Sequence, residues 1–122
     1  MKYPNKEAFA QAMRSKTKEF ALDAIKMFNR LPRNEEARII GEQFLRSSTS
    51  VAANYRAACR SRSRAEFYSK MSIVVEETDE SLFWLEILEE SCLMRASETE
   101  DLQVVATELL KVFSKAIKNT NS

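Results

Sequence analysis

The chain contains no histidine, one glycine, two prolines and two cysteines in 122 residues. Without histidine the usual general base, the Ser-His pair and the commonest metal ligand are all missing. A single glycine, Gly41, placed inside a helical pattern, excludes a glycine-rich phosphate loop. So few glycines and prolines leave little material for turns or sheets, and the abundance of Ala, Leu, Glu, Lys and Arg favours long helices with short connections. No apolar run is long enough to cross a bilayer, and the charged start MKYPNKEAF lacks the apolar core of a signal peptide. A cytoplasmic protein with no membrane association is expected. Residues 1–122 are read as one all-α domain, large enough to bury a core without metal or disulfide.

The net charge of +1 hides a segregation along the chain. Residues 1–30 sum to +4, 31–75 to +4, 76–101 to −9 and 102–122 to +2. A basic surface and an acidic one on the same molecule suit local attraction of polyanions or association between copies. The basic segment Arg46 to Arg64, RSSTSVAANYRAACRSRSR, has five arginines and no acid.

Four amphipathic stretches follow in order. Asn5 caps a first helix over about Lys6–Arg30, with Phe9, Met13, Thr17, Phe20, Ala24 and Phe28 on one stripe. Pro32 ends it. Asn34 caps a second helix to about Arg60, with Glu35 and Glu36 at its positive end. Its inward stripe is Ile40, Phe44, Ser47/Ser48, Val51, Tyr55 and Ala58, while Arg38, Arg46, Arg56 and Arg60 share an opposite sector about 80° wide. Ser63-Arg-Ala-Glu66 has capping-box spacing and opens a third helix near Arg64. Phe67, Met71, Val74/Val75, Thr78, Leu82, Leu85, Leu88 and Cys92 form its stripe. A second box, Ser97-Glu-Thr-Glu100, opens the fourth, with Leu102, Val105/Ala106, Leu109, Val112/Phe113 and Ala116 inward and a tail from Asn119 that frays. Short connections make sequential helices neighbours, predicting an antiparallel up-down-up-down four-helix bundle.

On the third helix, Ile73, Phe83, Trp84 and Ile87 stand off the inward stripe beside Glu76, Glu77 and Glu80. Placement at helix seams is the plainer account. The alternative is a subunit interface with an apolar centre and an acidic rim, facing Arg38, Arg46 and Arg56 of a neighbouring copy. The i,i+4 pairs Glu76/Glu80 and Glu86/Glu90 are read as a solvated or ion-paired face rather than a metal site. Cys59 and Cys92, near the C-terminal ends of consecutive antiparallel helices, are too far apart to bridge. The run Ser47-Ser-Thr-Ser50 fits close helix packing, and Asn54 is a candidate bridge between helices. No catalytic residue, metal or cofactor is expected. Arg56, Arg60, Arg62 and Arg64, with Lys111, Lys115 and Lys118 as a second stripe, are the candidate phosphate contacts. No aromatic is interleaved with them, so base reading is not expected.

The segment SSTSVAANYRAACRSRSRAEFYSKM (Ser47–Met71), continued by EETDESLFWLEIL (Glu76–Leu88) and preceded by LPRNEEARIIGEQFLR, strongly resembles the bacterial 23S ribosomal RNA intervening-sequence proteins. The resemblance implies a compact four-helix bundle, ring-like homo-oligomers such as pentamers, and kinship with the accessory variability protein of diversity-generating retroelements. That relative binds nucleic acid and a reverse transcriptase. Two functions stay open at this point: a non-enzymatic homo-oligomer binding RNA or DNA through its arginines, and a scaffold binding another protein, with its charges used for self-assembly.

Overall fold

A computed structural model describes residues 3–121, with side chains through Asn119. Among them are four α-helices: α1 Lys6–Phe28, α2 Glu35–Ala58, α3 Arg64–Glu90 and α4 Ala96–Asn121. Three helix starts follow from the capping residues. The Asn5 side chain accepts from the Ala8 N–H at 2.8 Å, Asn34 from Ala37 at 2.8 Å, and Ser63 from Glu66 at 3.0 Å. Each satisfies one of the backbone donors that a helix N-terminus leaves free.

Side-chain contacts set the topology. Phe20 of α1 meets Phe44 of α2 edge to face, with ring centroids 6.4 Å apart. Ser47 of α2 meets Ser81 of α3, and Glu89 of α3 meets Thr99 and Gln103 of α4. Each pair straddles the connection between its two helices, as antiparallel neighbours do. α1 and α3 each pack beside both α2 and α4, so α2 and α4 are diagonal partners whose outer faces look in opposite directions, and Tyr55 and Phe113 stack between them across the core at 5.1 Å. All four helices supply the core, led by Phe20, Met27, Phe44, Val51, Met71, Leu85, Leu88, Leu109 and Phe113.

The helical period locates each inward face but not every position on it. Met27 rather than Phe28 is the last buried residue of α1, and Ser81 rather than Leu82 is fully buried in α3. Phe28 and Leu31 instead lie over Gly41, where an added Cβ would stand 2.3 Å from Leu31 Cδ1 and 3.2 Å from Phe28 Cδ1. The glycine therefore lets the α1–α2 connection sit directly on α2. The fourth helix starts two residues ahead of where the expected box would place it. Glu98, not Glu100, reaches back, accepting from the Arg95 N–H at 3.0 Å, and this frees Thr99 to face inward. Cys92 is not on the α3 stripe. It lies beyond the helix with φ 64°, exposed, in the left-handed conformation that closes many helix ends. Its N–H bonds to the Glu89 carbonyl at 3.0 Å and the Met94 N–H to that of Leu88 at 3.0 Å. α4 continues to Asn121, and Ser122, the end of the tail expected to fray, lies outside the described residues.

Candidate functional site

The seam between α2 and α3 is built on small side chains. Ser47 and Ser81 are both fully buried, with their hydroxyl oxygens 3.0 Å apart, and each also lies within donating distance of a carbonyl in its own helix. Two serines facing each other let the helix backbones approach closely without an unpaired polar group. This is the packing role read from the serine run. Asn54 does not join helices: its amide donates to the Ser50 carbonyl and hydroxyl one turn earlier, both at 2.9 Å.

Outside the serines, Arg46 reaches across to α3, donating to Glu77 Oε2 at 3.0 Å and to Glu80 Oε2. The indole N–H of Trp84 donates to the same Glu80 oxygen at 3.0 Å. That hydrogen bond, followed by Arg46, holds the Glu80 carboxyl below its ordinary pKa, and Glu80 in turn raises that of Arg46. Arg46 had been expected to pair with acids of a neighbouring copy. Close approach at the serines places Glu77 and Glu80 of its own chain within reach instead. Trp84 is likewise half-buried against the core, at the seam, and Ile87 is also half-buried. Phe83, packed edge to face on Trp84 at 4.9 Å, remains 48% exposed and Ile73 39% exposed. Ile39 of α2 at 49% and Tyr68 of α3 at 37% are also open, and exposed Glu76 lies beside Phe83 on α3.

The arginines of α2 and of the connection to α3 divide into two groups. Arg38 pairs with Glu42 at 2.9 Å and Arg46 with α3. Arg56, Arg60 and Arg62 are exposed and make no ion pair among the described residues. Arg56 and Arg60 line an open groove between α1 and α2 with a volume of about 890 Å³. Arg14 and Lys18 of α1 line its other wall, and Ser15, Thr49, Ala52 and Ala53 lie between. Sequence reading missed Arg14 and Lys18 because they sit on a different helix. The signal that could have found them is their i,i+4 spacing beside the inward stripe. Arg14 bonds Glu7 at 3.0 Å; Cys59 first, then Glu7, hold its guanidinium above its ordinary pKa.

The remaining candidates are not gathered on this groove. Lys111, Lys115 and Lys118 are exposed on the outward side of α4, the diagonal partner of α2, so they face away from Arg56 and Arg60. Arg64 lines a second cavity of about 740 Å³ at the end of the bundle, together with Lys6, Phe9, Tyr55, Phe67 and Asn119. Burial, followed by the neighbouring Cys59, raises the pKa of the Tyr55 hydroxyl there. Cys59 is half-buried and Cys92 exposed, both as free thiols. Among the described residues no three His, Cys, Asp or Glu converge as a metal site, and no helix is long and apolar enough to cross a membrane.

Among curated proteins none matches the chain. A solved structure of a protein of unknown function from the S23 ribosomal protein family of Bacteroides thetaiotaomicron is similar over 89% of this chain and 97% of its own, with 30% identity and a TM-score of 0.83. The 23S rRNA-intervening sequence protein model matches residues 11–115, which takes in α2, α3, the four cations of the α1/α2 groove and the Arg46–Glu80–Trp84 seam. By that match over most of its length, and by the likeness of its bundle, the chain belongs to the 23S rRNA-intervening sequence protein family.

Proposed function

We propose that this chain is a non-enzymatic, cytoplasmic, self-associating four-helix-bundle protein that binds RNA or DNA electrostatically. The observation that carries this reading is the division of the arginines of α2 and of the connection that follows it. Arg38 and Arg46 pair with acids of the chain, whereas Arg56, Arg60 and Arg62 are exposed and make no ion pair among the described residues. Exposed cations that outnumber the acids around them form a local positive field, and phosphate groups displacing their counterions supply binding that is independent of sequence. Phe83 and Ile73, open to solvent on the α2/α3 side, support self-association into a ring, such as the pentamer the family resemblance implies. The same exposed aromatic also supports the second reading, a scaffold whose partner is another protein, a reverse transcriptase included.

Light scattering and titration with labelled RNA and DNA at two salt concentrations test the proposal. A mass several times that of one chain and binding that weakens steeply with salt are expected. Absence of binding to either nucleic acid at low salt would leave the scaffold reading.

A further inference from the structure

The groove between α1 and α2 has the wrong lining for a protein helix and the right one for a phosphate strand. Protein interfaces are anchored by large apolar or aromatic side chains in their centre. Here the floor is Ser15, Thr49, Ala52 and Ala53, and no large apolar side chain takes part. The walls carry four cations against one acid, Glu7. Arg14 and Lys18 on one wall are four residues apart, about 6 Å along the axis of α1, and on the other wall Arg56 lies in the last turn of α2 and Arg60 in the turn that follows it. Helices packed side by side are separated by roughly 8 to 10 Å. The furrow between two such neighbours seats a single backbone along its floor, where cations of both walls reach it, whereas a duplex would rest on its rims. A nucleic-acid strand carries a charge at every nucleotide, so cations at this interval meet phosphates every one or two steps.

Resting on the nucleic-acid reading above, we propose that the α1/α2 groove is a track for a single phosphodiester strand, with Arg14 and Lys18 on one side of the backbone and Arg56 and Arg60 on the other. Glu7 has a place in it. It holds Arg14 at the groove end and yields the guanidinium to a phosphate when the strand enters, since the pair is exposed and its attraction in water is small. The absence of aromatic side chains from the lining makes binding indifferent to base identity. The stripe Lys111, Lys115 and Lys118 on the opposite flank is outside the track.

The test uses the full chain, unstructured single-stranded oligonucleotides of RNA and of DNA, and fluorescence anisotropy. Lys18→Gln with Arg60→Gln removes one cation from each wall at exposed positions. Lys111→Gln with Lys115→Gln removes the same charge from the opposite flank. With four phosphate contacts, the parent's affinity falls about 50-fold between about 50 and 200 mM salt, and that of the groove variant only about sevenfold. The flank variant behaves as the parent. Equal losses in the two variants, or parental affinity in the groove variant, would overturn the track while leaving nucleic-acid binding intact. Tighter binding of a duplex than of either strand would also overturn it. A parent that binds none of these oligonucleotides at low salt would overturn the functional proposal itself.

Discussion

Trp84 Nε1 lies 3.0 Å from Glu80 Oε2, the oxygen that Arg46 also grips from the neighbouring helix. One carboxylate thus couples the only tryptophan of the chain to the α2/α3 seam. The indole hydrogen bond and Arg46 lower the folded-state pKa of Glu80, so this interaction stabilises the fold above the ordinary glutamate value of about 4.3. It is lost as pH falls through the lowered folded value. Because the Glu80 side chain is 35% exposed, solvent screening keeps the contribution below about 1 kcal/mol. The expected result is a change in Trp84 emission with a midpoint below about 4.3, absent in Glu80→Gln. A midpoint at or above the ordinary value would contradict it.

Ser81 separates two roles that a serine in a seam can have. If its size matters more than its hydroxyl, Ser81→Ala changes stability by less than about 1 kcal/mol, since Ser47 retains the Phe44 carbonyl as acceptor at 3.1 Å. Ser81→Leu would force α2 and α3 apart and lower stability by about 1 to 3 kcal/mol. Urea midpoints measure both. Equal effects of the two substitutions would show that the close approach is not what the serine provides.

Cys92 is the only non-glycine residue with positive φ among the described residues, at 64°. A side chain there crowds the following carbonyl at a cost of about 1 to 2 kcal/mol, which glycine avoids. Part of that gain is offset by the greater freedom of an unfolded chain containing glycine. Cys92→Gly is therefore expected to raise stability by about 0.5 to 1 kcal/mol at unchanged denaturant m-value. A lower urea midpoint would show that the thiol makes a contact worth more than the strain.

Much of this bundle is legible in the sequence because a helical period and a capping residue are local properties. Asn5, Asn34 and Ser63 begin helices where their side chains can accept from the first turn, and the stripes Phe20–Ala24 and Leu85–Leu88 are buried as the period requires. The places where reading and structure part depend on rotation about the helix axis or on register between helices. Ser81 is buried ahead of Leu82 because it must fit opposite Ser47, a relationship across 34 residues that no local pattern encodes. The same register brings Glu77 and Glu80 to Arg46 and turns a residue expected at a subunit contact into an internal tie. The groove escaped notice for the same reason: Arg14 and Lys18 join Arg56 and Arg60 only when α1 and α2 pack.

Phe83 offers the clearest test of self-association. Trp84 is unsuited to it, because it is half-buried at the seam and its loss would weaken the monomer as well as any contact. Phe83 is 48% exposed and rests on Trp84 from outside, so its substitution leaves the core untouched. Covering such a ring could contribute roughly 1.5 to 3 kcal/mol. Glu76, exposed on the same side of α3, disfavours a two-fold contact, which would bring the acidic rims of two copies together. A heterologous contact with a basic surface of the next copy avoids that repulsion, and a heterologous contact that closes forms a ring. The parent chain is therefore expected to be a cyclic oligomer by light scattering, and Phe83→Glu a smaller species with the same helical circular dichroism. A monomeric parent at micromolar concentration, in both low and moderate salt, would rule this assembly out; an unchanged mass for Phe83→Glu would place the contact elsewhere.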